Sequence, residues 1–247
     1  MRASMKSLSE LNGQRFAVIG GMGPLASAEF VQTVYNQSLM GQDEQALPNL
    51  ILLSDPDIPD RTTSFRAGKV AIIANKIDRL ISEARALGAT DAVICCFTAH
   101  HILPLLTREN SDVLISLIDL ALSMVIEKKG RYLLGATEGC LEMNVFQSSP
   151  LWARASPQIF IPKNDVREEI HRLIYRIKRY GYAKDIEEMI GEVLRASACD
   201  GVICGCTELH LLSVRASASA GIEFIDPLKE LADSLCNLAS KIPSELA

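Results

Sequence analysis

Two cysteines in this chain stand in matching surroundings. Asp91-Ala92-Val93-Ile94-Cys95-Cys96-Phe97-Thr98 and Asp200-Gly201-Val202-Ile203-Cys204-Gly205-Cys206-Thr207 each run from an apolar, β-branched stretch into a cysteine and then a threonine. A strand that delivers a thiol to the start of a helix, built twice, predicts that Cys96 and Cys206 face each other across one pocket. Two opposed thiols can take a proton from one face of a carbon and return one to the other face. The positive end of a helix dipole at each turn is expected to lower the thiol pKa. Cys95 is the neighbouring thiol; side chains alternate along a strand, so it is expected to point the other way, into the core.

Further groups are suited to holding a small anion around such a pair. The turn Gly20-Gly21-Met22-Gly23-Pro24 can present bare amides to an anion. Thr98, Thr137 and Thr207 fall at three turns, where a hydroxyl and an N–H can hold a carboxylate or an amine, or merely cap a helix. Arg61, in Ile58-Pro59-Asp60-Arg61-Thr62, follows a strand end and a stiff proline turn. Its guanidinium suits bidentate capture of a carboxylate, the alternative being a solvated loop arginine. Glu208 can receive an ammonium or simply begin a helix. His100, His101 and His210 lie just past the thiols. Zinc sites space their cysteines as C-x2–4-C, so no metal is expected, and a histidine here can instead orient a thiol or a substrate. The full G-x-G-x-x-G pattern with its acidic partner is missing, which argues against a dinucleotide loop.

The elements that must position these residues alternate regularly. Short apolar strands are expected at Arg15 to Ile19, Leu50 to Leu53 and Asp91 to Cys95, with helices from Leu25 to about Met40 and from Phe65 to Leu87, Gly88 ending the latter. The pattern then restarts. Strands are expected at Arg131 to Leu134, at Ile159-Phe160 and at Gly201 to Cys204. Helices follow Asn164 or Asp165, with Asp165 and Glu168 at capping-box spacing, and run from Asp185 to Ala198. Strands that are apolar throughout and alternate with helices imply buried parallel sheets. The glycine turns at Gly20 and Gly135 lie 115 residues apart and the two thiols 110 apart, so an internal duplication is expected. The fold class is therefore α/β: two pseudo-symmetric domains, each with a mostly parallel sheet flanked by helices, and a cleft between them at the carboxyl ends of the strands. The expected division is residues 1–118 plus 222–247 against 119–221. The tail, a strand at Ile222 to Ile225 and a helix from Pro227 to Ser240, packs back on the first half.

The totals narrow the classes. The chain has 247 residues, a formal net charge of -5 and 48% hydrophobic residues, so a soluble globular protein is expected and a nucleic-acid binder is not. No apolar run approaches the roughly 18 residues of a membrane span, and Met1 to Gln14 reads as a loose polar extension rather than a signal peptide. Seven cysteines, an odd number with two adjacent, suggest free thiols and a cytoplasmic location.

Val18-Ile19-Gly20-Gly21-Met22-Gly23-Pro24, Cys96 with Thr98-Ala99-His100, and Gly205-Cys206-Thr207-Glu208 resemble the cofactor-independent aspartate/glutamate racemase family over most of the chain, from about Phe16 to Leu235. The resemblance implies an amino-acid racemase, aspartate ahead of glutamate, with Cys96 and Cys206 catalytic, no pyridoxal phosphate and a homodimer, for which the apolar stretch near Leu114 to Val125 offers a face. It places Gly21, Met22, Gly23, Arg61, Phe97, Thr98, Thr137, Lys163, Thr207 and Glu208 at the substrate: Arg61 on its side-chain carboxylate and Lys163 as the second cation. The family usually reads Cys-Asn-Thr-Ala-His, and Phe97 stands where the Asn does. That departure keeps open other enzymes of the same scaffold, namely hydantoin racemases, maleate isomerases and decarboxylases. A ligand-binding or thiol-sensing protein is the alternative outside enzymes.

Overall fold

The computed structural model describes residues 6–12, 14–39, 43–216 and 221–239. In the first half, β1 (Phe16–Gly20), β2 (Leu50–Ser54), β3 (Asp91–Ile94) and β4 (Leu114–Ile115) form a parallel sheet in the order β2-β1-β3-β4. In the second, β5 (Tyr132–Leu134), β6 (Ile159–Phe160), β7 (Gly201–Ile203) and β8 (Glu223–Ile225) form another in the order β6-β5-β7-β8. The two orders are the same, so the duplication expected from the spacing is present in the topology. The helices are α1 (Pro24–Ser38), α2 (Arg61–Arg66), α3 (Val70–Ala86), α4 (Arg108–Ser111), α5 (Leu117–Glu127), α6 (Glu138–Glu142), α7 (Trp152–Ala155), α8 (Asn164–Tyr180), α9 (Lys184–Ser197), α10 (Glu208–Arg215) and α11 (Pro227–Ala239).

Strand alternation divides the first half's core. Val18, Val93 and Cys95 face one apolar cluster, which continues into the second half. Ala17, Ile19, Ala92, Ile94 and Cys96 face a second cluster with Ile73, Ile77 and Ile81 of α3. Cys95 and Cys96 therefore point to opposite faces, as the period of two requires.

Several expectations are corrected here. The tail strand does not join the first half: β8 pairs with β7 and completes the second sheet as β4 completes the first. The two-residue β4 is hidden inside an apolar stretch that reads as helix, so the equivalence of β4 and β8 is not visible without coordinates. The helix α11 does pack on α1, while α5 packs on α7, α11 and β8, so each half's last helix lies against the other half. Leu117, Ile118, Leu120, Ala121, Leu122 and Val125 of α5 are buried within this chain, while Ser123, Met124 and Ile126 are only partly buried. The helix expected from Phe65 to Leu87 is interrupted between α2 and α3 at Gly68, a poor helix former. The cap of α8 is Lys163, with no side-chain bond, rather than Asn164 or Asp165. The early segment is tied down: Lys6 bridges Ile115 and its ammonium lies 2.6 Å from the buried Asp91 carboxylate. Met40 and Ser240, expected as helix ends, lie outside the described residues.

Candidate active site

The carboxyl ends of the two sheets meet. Thr98, just past β3, and Thr137, just past β5, bring their hydroxyls to 3.0 Å from each other. Thr207, just past β7, donates to the carbonyl of Cys95 at 3.4 Å. Thr137 also caps α6, accepting from the Cys140 N–H. Each threonine thus ties one half's strand end to the other's, and both Cys96 and Cys206 sit at that junction, buried, among seven free cysteines.

The second thiol has a carboxylate partner. The Cys206 S–H donates to Glu208 Oε2 at 2.8 Å. Burial and then the Glu208 charge push the Cys206 thiol well above the ordinary cysteine range, with Lys178 opposing and Cys96 adding to the rise. The expected lowering by a helix dipole is therefore overturned on this side: desolvation and a neighbouring anion outweigh the turn of helix. On the Cys96 side the helix is itself different, a run of 3-10 turns from Thr98 to Leu105 containing Pro104.

Glu208 connects several parts of the site. It is buried, and its second oxygen, Oε1, makes no hydrogen bond. That oxygen lies against Gly23, where an added Cβ would stand 1.9 Å away, so only glycine leaves room for it. Gly21 is equally constrained, at φ 89° and with the Asp55 backbone 2.3 Å from where a Cβ would stand. The Lys178 ammonium lies 4.0 Å from Glu208 Oε1 and 4.7 Å above the Tyr175 ring. Burial works against that charge, but Glu208, Cys206 and Cys96 outweigh it and hold the ammonium above the ordinary lysine range. Two sulfurs, a carboxylate and an ammonium thus form one electrostatic group.

Arg61 opens α2 and is buried. Its guanidinium donates to the backbone carbonyls of Ile58, Pro59 and Met22, at 3.2, 2.9 and 2.5 Å, and its Nε has no partner. Met22 thus serves the site through its carbonyl, its own side chain being buried. Asp60, which caps α2, accepts from Tyr175 of α8 at 2.8 Å, so the arginine's loop is fastened to the other half.

Two candidates fall elsewhere. Lys163 is exposed at the start of α8, roughly 22 Å along the axis from Lys178 at 1.5 Å per residue. The cation beside Glu208 and the two sulfurs is Lys178. Its signal in the sequence was a lysine on the apolar, Tyr175-bearing face of a basic helix, three residues past that tyrosine. The Phe97 ring stacks on Phe146 at 5.5 Å and 10° and is buried in the core, so its side chain is taken up by packing. Among the described residues, no group of three or more His, Cys, Asp or Glu is placed to hold a metal ion. No helix among them is long and apolar enough to cross a membrane.

Residues 19–235 match the family model described as Asp/Glu/Hydantoin racemase. Among solved structures, the chain is similar to an aspartate racemase from Picrophilus torridus, with a TM-score of 0.77 and 23% identity over 94% of this chain and 97% of that one. It is similar to an aspartate racemase homologue from Pyrococcus horikoshii, with a TM-score of 0.67 and 20% identity over 92% of this chain and 100% of that one. It is also similar to a glutamate racemase from Francisella tularensis, with a TM-score of 0.62 and 18% identity over 92% of this chain and 81% of that one. At these identities the structural likeness is one of fold.

Proposed function

The chain belongs to the Asp/Glu/hydantoin racemase family, and from that premise we propose that it interconverts L- and D-aspartate by proton transfer between two thiols, without a cofactor. The observation that carries the substrate is a pair of buried polar atoms of opposite character. Arg61 Nε makes no hydrogen bond, and Glu208 Oε1, though in ionic contact with Lys178 at 4.0 Å, accepts none. A buried group left unpaired costs free energy, about 1–3 kcal/mol for a neutral one and more for a charged one, so each is a place where a ligand repays binding. A dicarboxylic amino acid supplies both partners: carboxylates for Arg61 and Lys178, an ammonium for Glu208. Lys178 takes the role expected of Lys163.

In one direction Cys96, as thiolate, removes the α-proton, and Cys206 delivers its S–H proton to the opposite face of the carbon. In the other direction the roles exchange. Glu208 Oε2 holds the Cys206 proton in line until it is needed. The carbanion has no imine to delocalise into, so its charge falls on the carboxylate. The Arg61 guanidinium, the Lys178 ammonium and the amides of the turn at Gly21-Met22-Gly23 are the groups available to stabilise it. Glutamate, one methylene longer, is the second candidate. The protein as a homodimer in the cytoplasm remains the expectation carried from the sequence.

The test is the appearance of D-aspartate from L-aspartate with no added cofactor, followed by chiral chromatography, alongside glutamate, a hydantoin and maleate. Racemisation of aspartate that disappears in both Cys96→Ala and Cys206→Ala supports the reading. Normal racemisation in both single variants would sink the two-thiol mechanism, and turnover of the hydantoin or maleate alone would sink the substrate.

A further inference from the structure

The duplication carries a pair of histidines that the proposed reaction leaves unused. Each stands four residues past a thiol, His100 after Cys96 and His210 after Cys206. The first acts locally: His100 Nδ1 donates to the Cys96 carbonyl at 2.9 Å, and its Nε2 accepts the Leu117 N–H at 3.2 Å. The second reaches across the molecule. His210 is fully buried, with Nδ1 2.7 Å from Asp226 Oδ2 and Nε2 3.1 Å from the Thr33 hydroxyl. Asp226 in turn accepts the N–H groups of Leu228 and Lys229 at the start of α11.

These three residues join helices from both halves. Thr33 lies on α1 of the first half, His210 on α10 and Asp226 before α11 of the second. The same α1 and α10 begin at the site, where Gly23 and Glu208 Oε1 are in contact. A helix is stiff over three turns, so a bond between α1 and α10 about 15 Å along α1 from Gly23 constrains how closely their first turns approach. A buried His–Asp pair is weak evidence for stability, since apolar residues of similar volume often serve as well; here the pair lies within the second half and orients His210, whose other nitrogen makes the bond to Thr33 of the first half.

We infer that His210 is a positioning residue, which through Thr33 and Asp226 sets the spacing of α1 and α10 and so the seat of Glu208 beside the Cys206 sulfur. Its kinetic consequence rests on the racemase reading; its geometric consequence does not. Thr33→Val keeps the shape of the threonine and removes only its bond to His210, leaving the exposed Arg215–Glu29 pair between the same two helices in place. His210→Gln keeps an amide within reach of Thr33, and His210→Leu keeps none. Two readouts apply to the whole protein: alkylation of each cysteine by iodoacetamide, resolved by peptide mass spectrometry, and racemisation of aspartate. In Thr33→Val, alkylation of Cys206 is expected to rise several-fold as Glu208 moves off the sulfur, with Cys96 unchanged. Its kcat falls roughly tenfold, the worth of one well-placed hydrogen bond, with KM nearly unchanged. His210→Leu shows the same pattern, and His210→Gln recovers part of it. Thermal midpoints that fall while Cys206 alkylation stays at the wild-type rate would make the network purely structural and overturn the inference. So would equal changes at Cys96 and Cys206. If the wild-type protein leaves aspartate untouched, the alkylation arm still decides the positioning role, and only the substrate reading falls.

Discussion

Cys96 and Cys206 end equivalent strands of two sheets with the same order, yet their surroundings differ in kind. Cys96 shares the Lys178 charge, but the element behind it is uncharged: the 3-10 run from Thr98, with His100, which burial pushes down to about 4 and so keeps neutral. Cys206 is backed by charge: Glu208 in hydrogen-bond contact, Lys178 behind it, and the His210–Asp226 pair one layer further in. The Asp226 carboxyl is held below the ordinary carboxylate range. Burial alone would raise it, but the His210 charge and the hydrogen bonds from His210, Ser213 and Lys229 outweigh that. A duplicated scaffold thus supplies two thiols at equivalent places, and only on one of them does a flanking carboxylate accept the S–H proton. The proton exchange proposed above needs one protonated and one deprotonated sulfur at each turnover, with the roles reversed in the other direction.

Removing either thiol tests the comparison most severely. Cys96→Ala and Cys206→Ala are each expected to lower racemisation by at least about a thousandfold, since the loss of one base or acid stops the exchange. Each variant retaining its thiolate on one face should still wash the α-proton of a single enantiomer into D2O, measured by proton NMR. Washout from both enantiomers in one variant would show that the two faces are not divided as proposed. Next comes the cation. Lys178→Met is expected to raise the KM for aspartate by roughly a hundredfold, the cost of leaving a charged partner unpaired, whereas Lys163→Met leaves it within about twofold. The reverse result would return the second cation to the start of α8.

Two smaller perturbations act on Glu208 alone. Gly23→Ala drives a Cβ to 1.9 Å from Oε1. The carboxylate, as the end of a flexible side chain, swings aside, so kcat falls roughly tenfold while the thermal midpoint moves by only a few degrees. Glu208→Gln leaves the burial that chiefly raises the Cys206 thiol and removes the charge that adds to it. Its alkylation profile should therefore shift to lower pH, with a rate near neutrality about tenfold higher for each pKa unit, while the Cys96 profile stays in place. The smallest effect belongs to the uncharged side. His100 titrates near 6.5 when unfolded and about 4 when folded, so the unfolded chain binds the extra proton between those values. The stability it contributes is complete above about pH 6.5 and declines as the pH falls toward about 4, and His100→Asn should flatten that part of the denaturation profile.

The strands were legible because a buried parallel strand must be apolar along its length, and the thiols because they stand where such strands stop. The tail strand was misplaced because its counterpart β4, at Leu114–Ile115, is too short to break the apolar run into α5. The sequence points to Lys163 and not to Lys178 for a similar reason. Proximity to a strand end is visible along the chain, whereas the side of a long helix that turns back over the cleft is not. Phe97 follows Cys96 yet points into the core, where it stacks on Phe146, a residue 49 positions away.

What the sequence determined by itself is local and periodic: where apolar strands end, that those endings come twice, and that each carries a thiol. Alternation and repeat length are properties of the backbone's own geometry, so they survive being written in one dimension. What only the folded chain decided is which charges meet. Glu208, Lys178, Gly23 and Arg61 converge from four separate segments. Charges act through space over a few ångströms in a region shielded from water, and neighbours at that range are chosen by the packing of helices on sheets, not by position along the chain.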